Sequence, residues 1–341
     1  MKSTQVTIKD IAKALNISIS TVSRALRGLP EIHPDTRKAV LKLAEELDYQ
    51  PNQLAKNLAK SRTKTIGVIV PNLSYYFFSA ALNSIEEAAM QAGYSVLVCQ
   101  SHESYLREVT NIQNLLRGQV EGLIISLARD TNEYEHINRL VRKNIPLVLF
   151  DRYSDGLSVS KVIVNNRESA FVATEHLINN GCKNIGFLAG PPNMLLSKER
   201  MLGYQDALKQ HNLPFLLQNI AHSDFTQDNT VVQTLELLNR SKIDGIVAVS
   251  DRIAYSAMYA LKQKGIQVPE DIAIVSFNNE PICTLLSPTL SSISQPIQDM
   301  GNEAVRILIN QIEAEEDVII PVETKILPTQ LIIRESSGFF S

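Results

Sequence analysis

A chain of 341 residues, 44% of them hydrophobic, exceeds one ordinary domain and can bury substantial cores. It has no apolar run of the roughly 18 residues that a membrane helix needs, and its three cysteines, Cys99, Cys182 and Cys283, form no CxxC pair and cannot all pair within one chain. The net charge of −3 argues against a nucleic-acid binder until its distribution is read: twelve Lys/Arg against six Asp/Glu make residues 1–64 a basic head, and the remainder carries −9.

The head opens on TIKDIAKALNISISTVSRALRG, residues 7–28. Ile8, Ile11, Ala12 and Leu15 repeat at helical spacing, Asn16 can take the left-handed conformation that ends a helix, and Ser18 stands where an N-cap belongs. Val22, Ala25 and Leu26 then repeat the spacing until Gly28. Two short helices crossing over shared apolar residues predict a helix-turn-helix, whose second helix can enter a DNA major groove. On that helix Ile19, Ser20 and Arg24 point away from the apolar stripe, and Arg24 offers a planar fork that matches the guanine O6/N7 acceptors. Thr21 and Ser23 are short hydroxyl donors suited to phosphate oxygens. A pair of ordinary surface helices with a solvated Arg reads the same residues differently.

A third amphipathic helix follows Thr36-Arg37 (Val40, Leu43, Ala44, Leu47) and ends at Tyr49-Gln50-Pro51-Asn52. Residues 51–65, PNQLAKNLAKSRTKT, carry Leu54, Ala55, Leu58 and Ala59 as a narrow apolar stripe, enough for a marginal helix of little more than two turns or for a plain basic linker. From Thr65 apolar strands alternate with helices: strands at 65–70, 94–99, 122–126 and 146–150, with helices at 80–92, 105–116 and 133–142. The rhythm restarts after Asp151, with strands at 161–164, 184–189, 245–250 and 272–277 and helices at 168–179, 199–210, 230–238 and 254–264. Near-continuous apolar strands separated by helices predict two α/β lobes with parallel sheets, and a cleft facing the carboxyl ends of their strands.

The segments TIKDIA, STVSRAL, the TR pair, YQPN and LAKNLAKSRTKTIGVIVPN resemble the lactose-repressor (LacI/GalR) family, in the family's order and over about residues 7–334. The resemblance implies an α/β fold: a helix-turn-helix domain at 1–50, a hinge helix and linker at 51–64, and a two-lobed, periplasmic-binding-protein-like body at 65–341 for effector binding and dimerisation. It implies that the hinge orders on operator DNA beside its twin, with Leu58 as an apolar wedge between base pairs. It adds Thr7, Asn52 and Ala55 to the DNA contacts. It also implies that the segment at about 291–321 returns to the first lobe before the chain ends in the second.

In the cleft the resemblance aligns Phe77, Phe78, Ser126, Asp151, Arg200, Phe225, Ser250, Asp251 and Asn278 with effector-lining positions. Taken residue by residue, Phe77 and Phe78 serve core packing as readily as ligand stacking, and Asp151 and Asp251 can cap helices. Aromatic platforms with hydroxyls, carboxylates and an Arg suit a polar, ring-shaped molecule. Relatives place Asp where this chain has Asn278, and its amide donor beside Arg200 favours an acidic or phosphorylated sugar as effector. The expected partners are thus double-stranded operator DNA, a sugar or sugar derivative, and a second copy of the chain, in a cytoplasmic repressor without membrane contact. No cofactor is expected. The sequence has no nucleophile elbow, P-loop or GxGxxG after a strand, and its histidines, His33, His102, His136, His176, His211 and His222, are too scattered for a metal site, so an enzyme is not expected. The rival reading is a solute-binding protein of the periplasmic sugar-binding class, against which the basic head and the absence of a signal-peptide core both weigh.

Overall fold

The computed structural model describes residues 6–26, 28–49, 62–315 and 320–338 and divides the chain into two units, Met1–Lys64 and Thr65–Ser341. In the first, α1 (Ile8–Ala14) starts at Thr7, whose N–H and hydroxyl donate to the Asp10 carboxylate at 2.8 and 2.7 Å. The Thr7 hydroxyl holds that carboxyl below its usual range. Asn16 takes φ +52°, and Thr21 N–H donates to Ser18 Oγ at 3.1 Å where α2 (Ile19–Leu26) begins. Pro34 opens α3 (Pro34–Glu46), at the position where a missing N–H is harmless. The three helices close over Ile11, Ala12, Val22, Ala25, Val40 and Ala44, which are the apolar repeats of the sequence.

The second unit has two lobes. The first holds β1 (Thr65–Val70), α4 (Tyr76–Gln91), β2 (Ser95–Gln100), α5 (Tyr105–Arg117), β3 (Gly122–Ile125), α6 (Glu135–Arg142), β4 (Leu147–Phe150) and β5 (Ser160–Val164). The second holds α7 (Asn166–Asn179), β6 (Ile185–Ala189), α8 (Leu195–Gln210), β7 (Ile220–His222), α9 (Gln227–Arg240), β8 (Gly245–Ala248), α10 (Asp251–Gln263), β9 (Ala273–Asn278) and β10 (Ser291–Ser294). The chain then returns to the first lobe for α11 (Ile297–Glu313) and β11 (Thr324–Leu327) and ends its regular structure in the second with β12 (Gln330–Ile332). The sheet orders are β11-β5-β4-β3-β1-β2 and β12-β10-β9-β8-β6-β7. All pairings are parallel except β10–β12, as a sheet covered by helices on both faces requires.

Two expectations change. The strand at 161–164 does not begin the second lobe: β5 pairs with β4 (Val148 opposite Ser160) and with β11, and so belongs to the first sheet. An apolar run fits either sheet equally well, and only its neighbours decide. The return also starts and ends later than 291–321, because Ser291–Ser294 still pairs with β9 whereas Thr324–Leu327 pairs with β5. The lobes are therefore joined by three short crossings, between Val164 and Asn166, Ser294 and Ile297, and Leu327 and Gln330. Helix α11 docks by burying Met300, Ala304, Val305, Ile307 and Leu308 against Ile66 and Ile85, and Ser84 Oγ donates to Gln298 O at 2.7 Å. In the second lobe Gly203 lets α8 press on α7: a Cβ there would overlap the carbonyl oxygen of Arg167 and stand 2.9 Å from Ala170 Cβ.

Candidate ligand cleft and nucleic-acid interface

Helix α2 buries Val22 and Ala25 and leaves Ile19, Ser20 and Arg24 exposed, which is the arrangement a groove-reading helix needs. Ser23 is half-buried. Ser18 Oγ lies 2.8 Å from Ser20 Oγ and 2.7 Å from Thr21 Oγ1, so these hydroxyls are pre-oriented at the start of the helix. Arg24 stands 3.8 Å from Glu31 with both side chains mostly in solvent, a pair weak enough to yield to a base or a phosphate. The Thr7 hydroxyl is engaged with Asp10, which leaves its oxygen lone pairs rather than its proton for a neighbour. Asn52, Ala55 and Leu58 lie outside the described residues.

The cleft is built from both lobes. In the first, α4 starts earlier than its apolar repeat suggests, so Tyr75 is its N-cap and Phe77 and Phe78 stand on its first turn. Phe77 stacks on Phe150 with ring centres 5.8 Å apart and meets Phe78 edge to face at 5.3 Å, so both rings are core residues whose edges also reach the cavity. Asp151 and Arg152 follow β4 directly. From the second lobe come Arg200 on α8, Phe225 after β7, Ser250 and Arg252 at the start of α10, and Asn278 and Glu280 at the end of β9. Gln295 joins them from the crossing between β10 and α11. The space enclosed is about 700 Å³, part of it open to solvent.

Three guanidinium groups face this space, each laid over an aromatic ring: Arg152 on Phe78 at 5.2 Å, Arg200 on Phe277 at 4.2 Å and Arg252 on Tyr75 at 5.0 Å. Stacking fixes the plane of each fork and leaves its edge for hydrogen bonds. Arg200 is 3% exposed; its Nε donates to Asn166 Oδ1 at 2.8 Å and its Nη1 to Val249 O. Burial brings its pKa down to about 10, against the pull of Asp151 and Asp251. Both aspartates that could offset Arg200 therefore do so. Burial pushes the Asp151 carboxyl up to about 6, with Arg152 and Arg200 opposing. Burial, reinforced by Asp251, pushes Glu280 up to about 7.

Of the residues expected here, Phe77, Phe78, Asp151, Arg200, Phe225, Ser250 and Asn278 meet in the cleft, and Ser126 and Asp251 do not. Ser126 is buried under the end of β3, where its N–H donates to Ile69 O. Asp251 is wholly buried with its carboxylate consumed: it accepts from Ser276 Oγ, from Ser292 Oγ at 2.6 Å and from the Glu280 N–H at 2.7 Å, which ties β9, β10 and the following turn to α10. Ser250 is the N-cap of α10, accepting from Ile253 N–H at 3.3 Å, while it also faces the cavity. Asn278, at φ +108°, accepts at Oδ1 from Gln295 Nε2 at 2.7 Å, and a hydrogen bond from its side chain steadies Glu280. Its oxygen is thus taken, and of its two amide N–H groups one serves Glu280, which leaves one donor of the kind expected from the sequence. The unpartnered atoms on this wall are Gln295 Oε1 and Arg152 Nε, both buried without a hydrogen bond among the described residues.

Sequence reading missed Tyr75, Arg152, Arg252, Glu280 and Gln295. Four of them had a signal: they lie one or two residues from a position already singled out, and a cleft at strand ends is lined by the whole turn. Gln295 had none, because a lobe crossing put it there.

Residues 7–52 match the family described as "Bacterial regulatory proteins, lacI family", and residues 174–337 match "Periplasmic binding protein-like domain". The ribose operon repressor of Halalkalibacterium halodurans is 33% identical over 335 residues, which is 97% of each chain. Among solved structures, the lac repressor dimer bound to operator and the anti-inducer ONPF superposes with a TM-score of 0.87 at 25% identity, covering 97% of this chain and 99% of that one. The transcriptional regulator CelR in complex with cellobiose does so with a TM-score of 0.74 at 28% identity, with the same coverage.

Proposed function

The chain belongs to the lacI family of bacterial regulatory proteins, and from that premise we propose that it is a transcriptional repressor that reads a palindromic operator as a homodimer and answers to a small carbohydrate-like effector held between its lobes. One observation carries the reading: side chains from both lobes and from a crossing converge on one cavity, so a ligand there bears on the angle between lobes. A solute-binding protein needs such a cleft but has no use for a basic helix-turn-helix head. Ligand closure reaches DNA through the segment at 51–64, and a coupling of about 1–3 kcal/mol suffices for such a switch.

Within that reading the effector is an acidic or phosphorylated sugar. Three guanidinium groups line the cavity against two carboxyls, and burial pushes both carboxyls towards their neutral forms. An anion would raise those two pKa values further, so its complex binds more protons than the free protein. For a sugar acid, whose own charge is constant in this range, affinity must then rise as pH falls from 8 to 6, by at most about tenfold per pH unit for each proton taken up, whereas a phosphate, which gains a proton near pH 6, shows a smaller rise. The test is calorimetry with sugar acids and sugar phosphates beside the matched neutral sugars at pH 6 and pH 8, followed by operator titration with each binder. A neutral sugar that binds best, with no pH dependence, refutes the anionic class. Operator binding that no binder alters refutes the control. On the DNA side Arg24→Ala should weaken binding by about 1–3 kcal/mol at one base pair and relax specificity there. An equal loss on all sequences would make Arg24 a phosphate contact.

A further inference from the structure

We propose that Arg252 is the residue by which the cleft selects an anionic effector: its two Nη groups are the fork that takes the ligand's carboxylate or phosphate, and its contact with the Tyr75 ring places that charge at the seam between the lobes. The proposal rests on the acidic-effector reading above and assigns the charge to one side chain within it.

The three guanidinium groups of the cavity differ in what the protein has left them. Arg152 donates from Nη1 and Nη2 to Glu103 at 2.7 and 3.1 Å, and its enclosed Nε lies 4.0 Å from Asp151, so its charge is spent within the first lobe. Arg200 is buried, donates to Asn166 Oδ1 and Val249 O, and stands in the field of Asp151 and Asp251. Arg252 is half-buried and donates from Nε to Phe225 O at 3.0 Å. Among the described residues neither of its Nη groups has a hydrogen bond, and it has no ion pair. The Nε bond and the Tyr75 ring, 5.0 Å from the guanidinium carbon, fix the plane of the fork. Its two Nη edges are then what a bidentate contact with a carboxylate or phosphate requires.

The neighbouring carboxyls do not fill that place. Asp251, next in the chain, is consumed by Ser276, Ser292 and the Glu280 N–H. Glu280 forms no ion pair with Arg252; burial pushes its carboxyl up to about 7 against the pull of Arg252, and the Asn278 side chain is its hydrogen-bond partner. Tyr255 lines the cavity within the field of both groups, and its hydroxyl, which has no hydrogen bond among the described residues, supplies a further donor for a ligand oxygen. Arg252 stands on α10 of the second lobe and Tyr75 is the N-cap of α4 in the first, so an anion on the fork is held where the lobes meet. A neutral hydroxyl in the same place would leave a half-buried cation uncompensated, and that difference is the physical basis of the selection.

Arg252→Gln removes the charge, and Arg252→Lys keeps the charge but loses the fork. Tyr75→Phe keeps the ring face, and Tyr75→Ala removes it. The full chain and the four variants are melted to show that they stay folded, then titrated by calorimetry with hexuronic acids and hexose 6-phosphates of the gluco, galacto and manno series beside the neutral hexoses. Arg252→Gln should weaken the acid that wild type binds by about tenfold or more, the scale of a lost charge-assisted pair, and Arg252→Lys by less. Tyr75→Ala should weaken it by about threefold and Tyr75→Phe by none, with the neutral hexose within about twofold throughout. Whichever of carboxylate and phosphate loses more on Arg252→Gln is the group that the fork holds. An acid that binds wild type and Arg252→Gln alike overturns the assignment, and the acidic-effector reading then survives with the charge at Arg200. Equal losses for acid and neutral hexose make Arg252 a hydroxyl contact or a packing residue and overturn it as well. No acid binding at millimolar concentration, or a neutral hexose preferred by wild type, overturns both.

Discussion

Replacing Asp251 separates a buried anchor from a ligand contact. Asp251→Ala removes the acceptor for Ser276 Oγ, Ser292 Oγ and the Glu280 N–H. Hydrogen bonds to a charged acceptor contribute about 1.5–3 kcal/mol each, but the sum overstates the loss. Ser276 Oγ can turn fully to Ser291 O, 3.3 Å away, and removing a buried charge recovers desolvation energy. The Glu280 N–H has no such second partner, and an orphaned buried donor costs about 1–3 kcal/mol. With one charge-assisted bond lost beside it, the net is about 3–5 kcal/mol, or roughly 6–20 °C in melting temperature at 2–4 °C per kcal/mol for a body of this size. Asp251→Asn should lose less, because its oxygen can keep the Glu280 N–H while the two hydroxyls rotate to accept from the amide. The assay is thermal and urea unfolding of both variants, with effector affinity measured well below the transition. The turn carrying Asn278 and Glu280 hangs on Asp251, so affinity should fall in step with stability. If both variants melt like wild type but lose effector binding, Asp251 is a ligand contact and the anchoring argument is wrong.

Gly203→Ala would gain about 1 kcal/mol of helix propensity in an open helix, but the methyl group overlaps the Arg167 carbonyl oxygen, so a net destabilisation of several kcal/mol should appear as a lower urea midpoint. An unchanged midpoint would mean that the two helices can part freely. Asp151 is held at about 6, above the 3.8 of an unperturbed carboxyl, so between those values the folded chain binds more protons than the unfolded one. Its contribution to stability therefore declines as pH rises from about 4 to 6, by at most roughly 3 kcal/mol, and is flat above. Asp151→Asn should remove that slope from the pH dependence of the melting temperature, and an identical slope in the variant would place the Asp151 pKa near its ordinary value.

Local chemistry was enough for the head. Three short helices with one apolar face each, a left-handed Asn16 and a capping Ser18 have a single way to pack, and the contact-making face of α2 is whatever the core leaves out. Periodicity likewise yielded eight strands and seven helices of the body, because a strand buried on both faces must be apolar throughout, but it passed over the short strands β7, β10, β11 and β12 and the helix α11. What it could not yield was membership. The runs at 161–164 and 324–327 carry no mark of the sheet they join, and pairing was decided by the strands already present on either side. The site divides along the same line. Asp151 and Phe225 follow from the rule that clefts lie at strand ends, a property of chain order, and Arg200 from the family resemblance. The commitment of Asp251 to two serines and a backbone N–H within the second lobe, the capture of the Asn278 amide oxygen by Gln295 from a lobe crossing, and the unpartnered Nε of Arg152 depend on which atoms the tertiary fold brings within 3 Å. A side chain's chemistry is written in the sequence, but its partners belong to residues tens to hundreds of positions away, and only the folded chain determines whether a charge is spent inside the protein or left for a ligand.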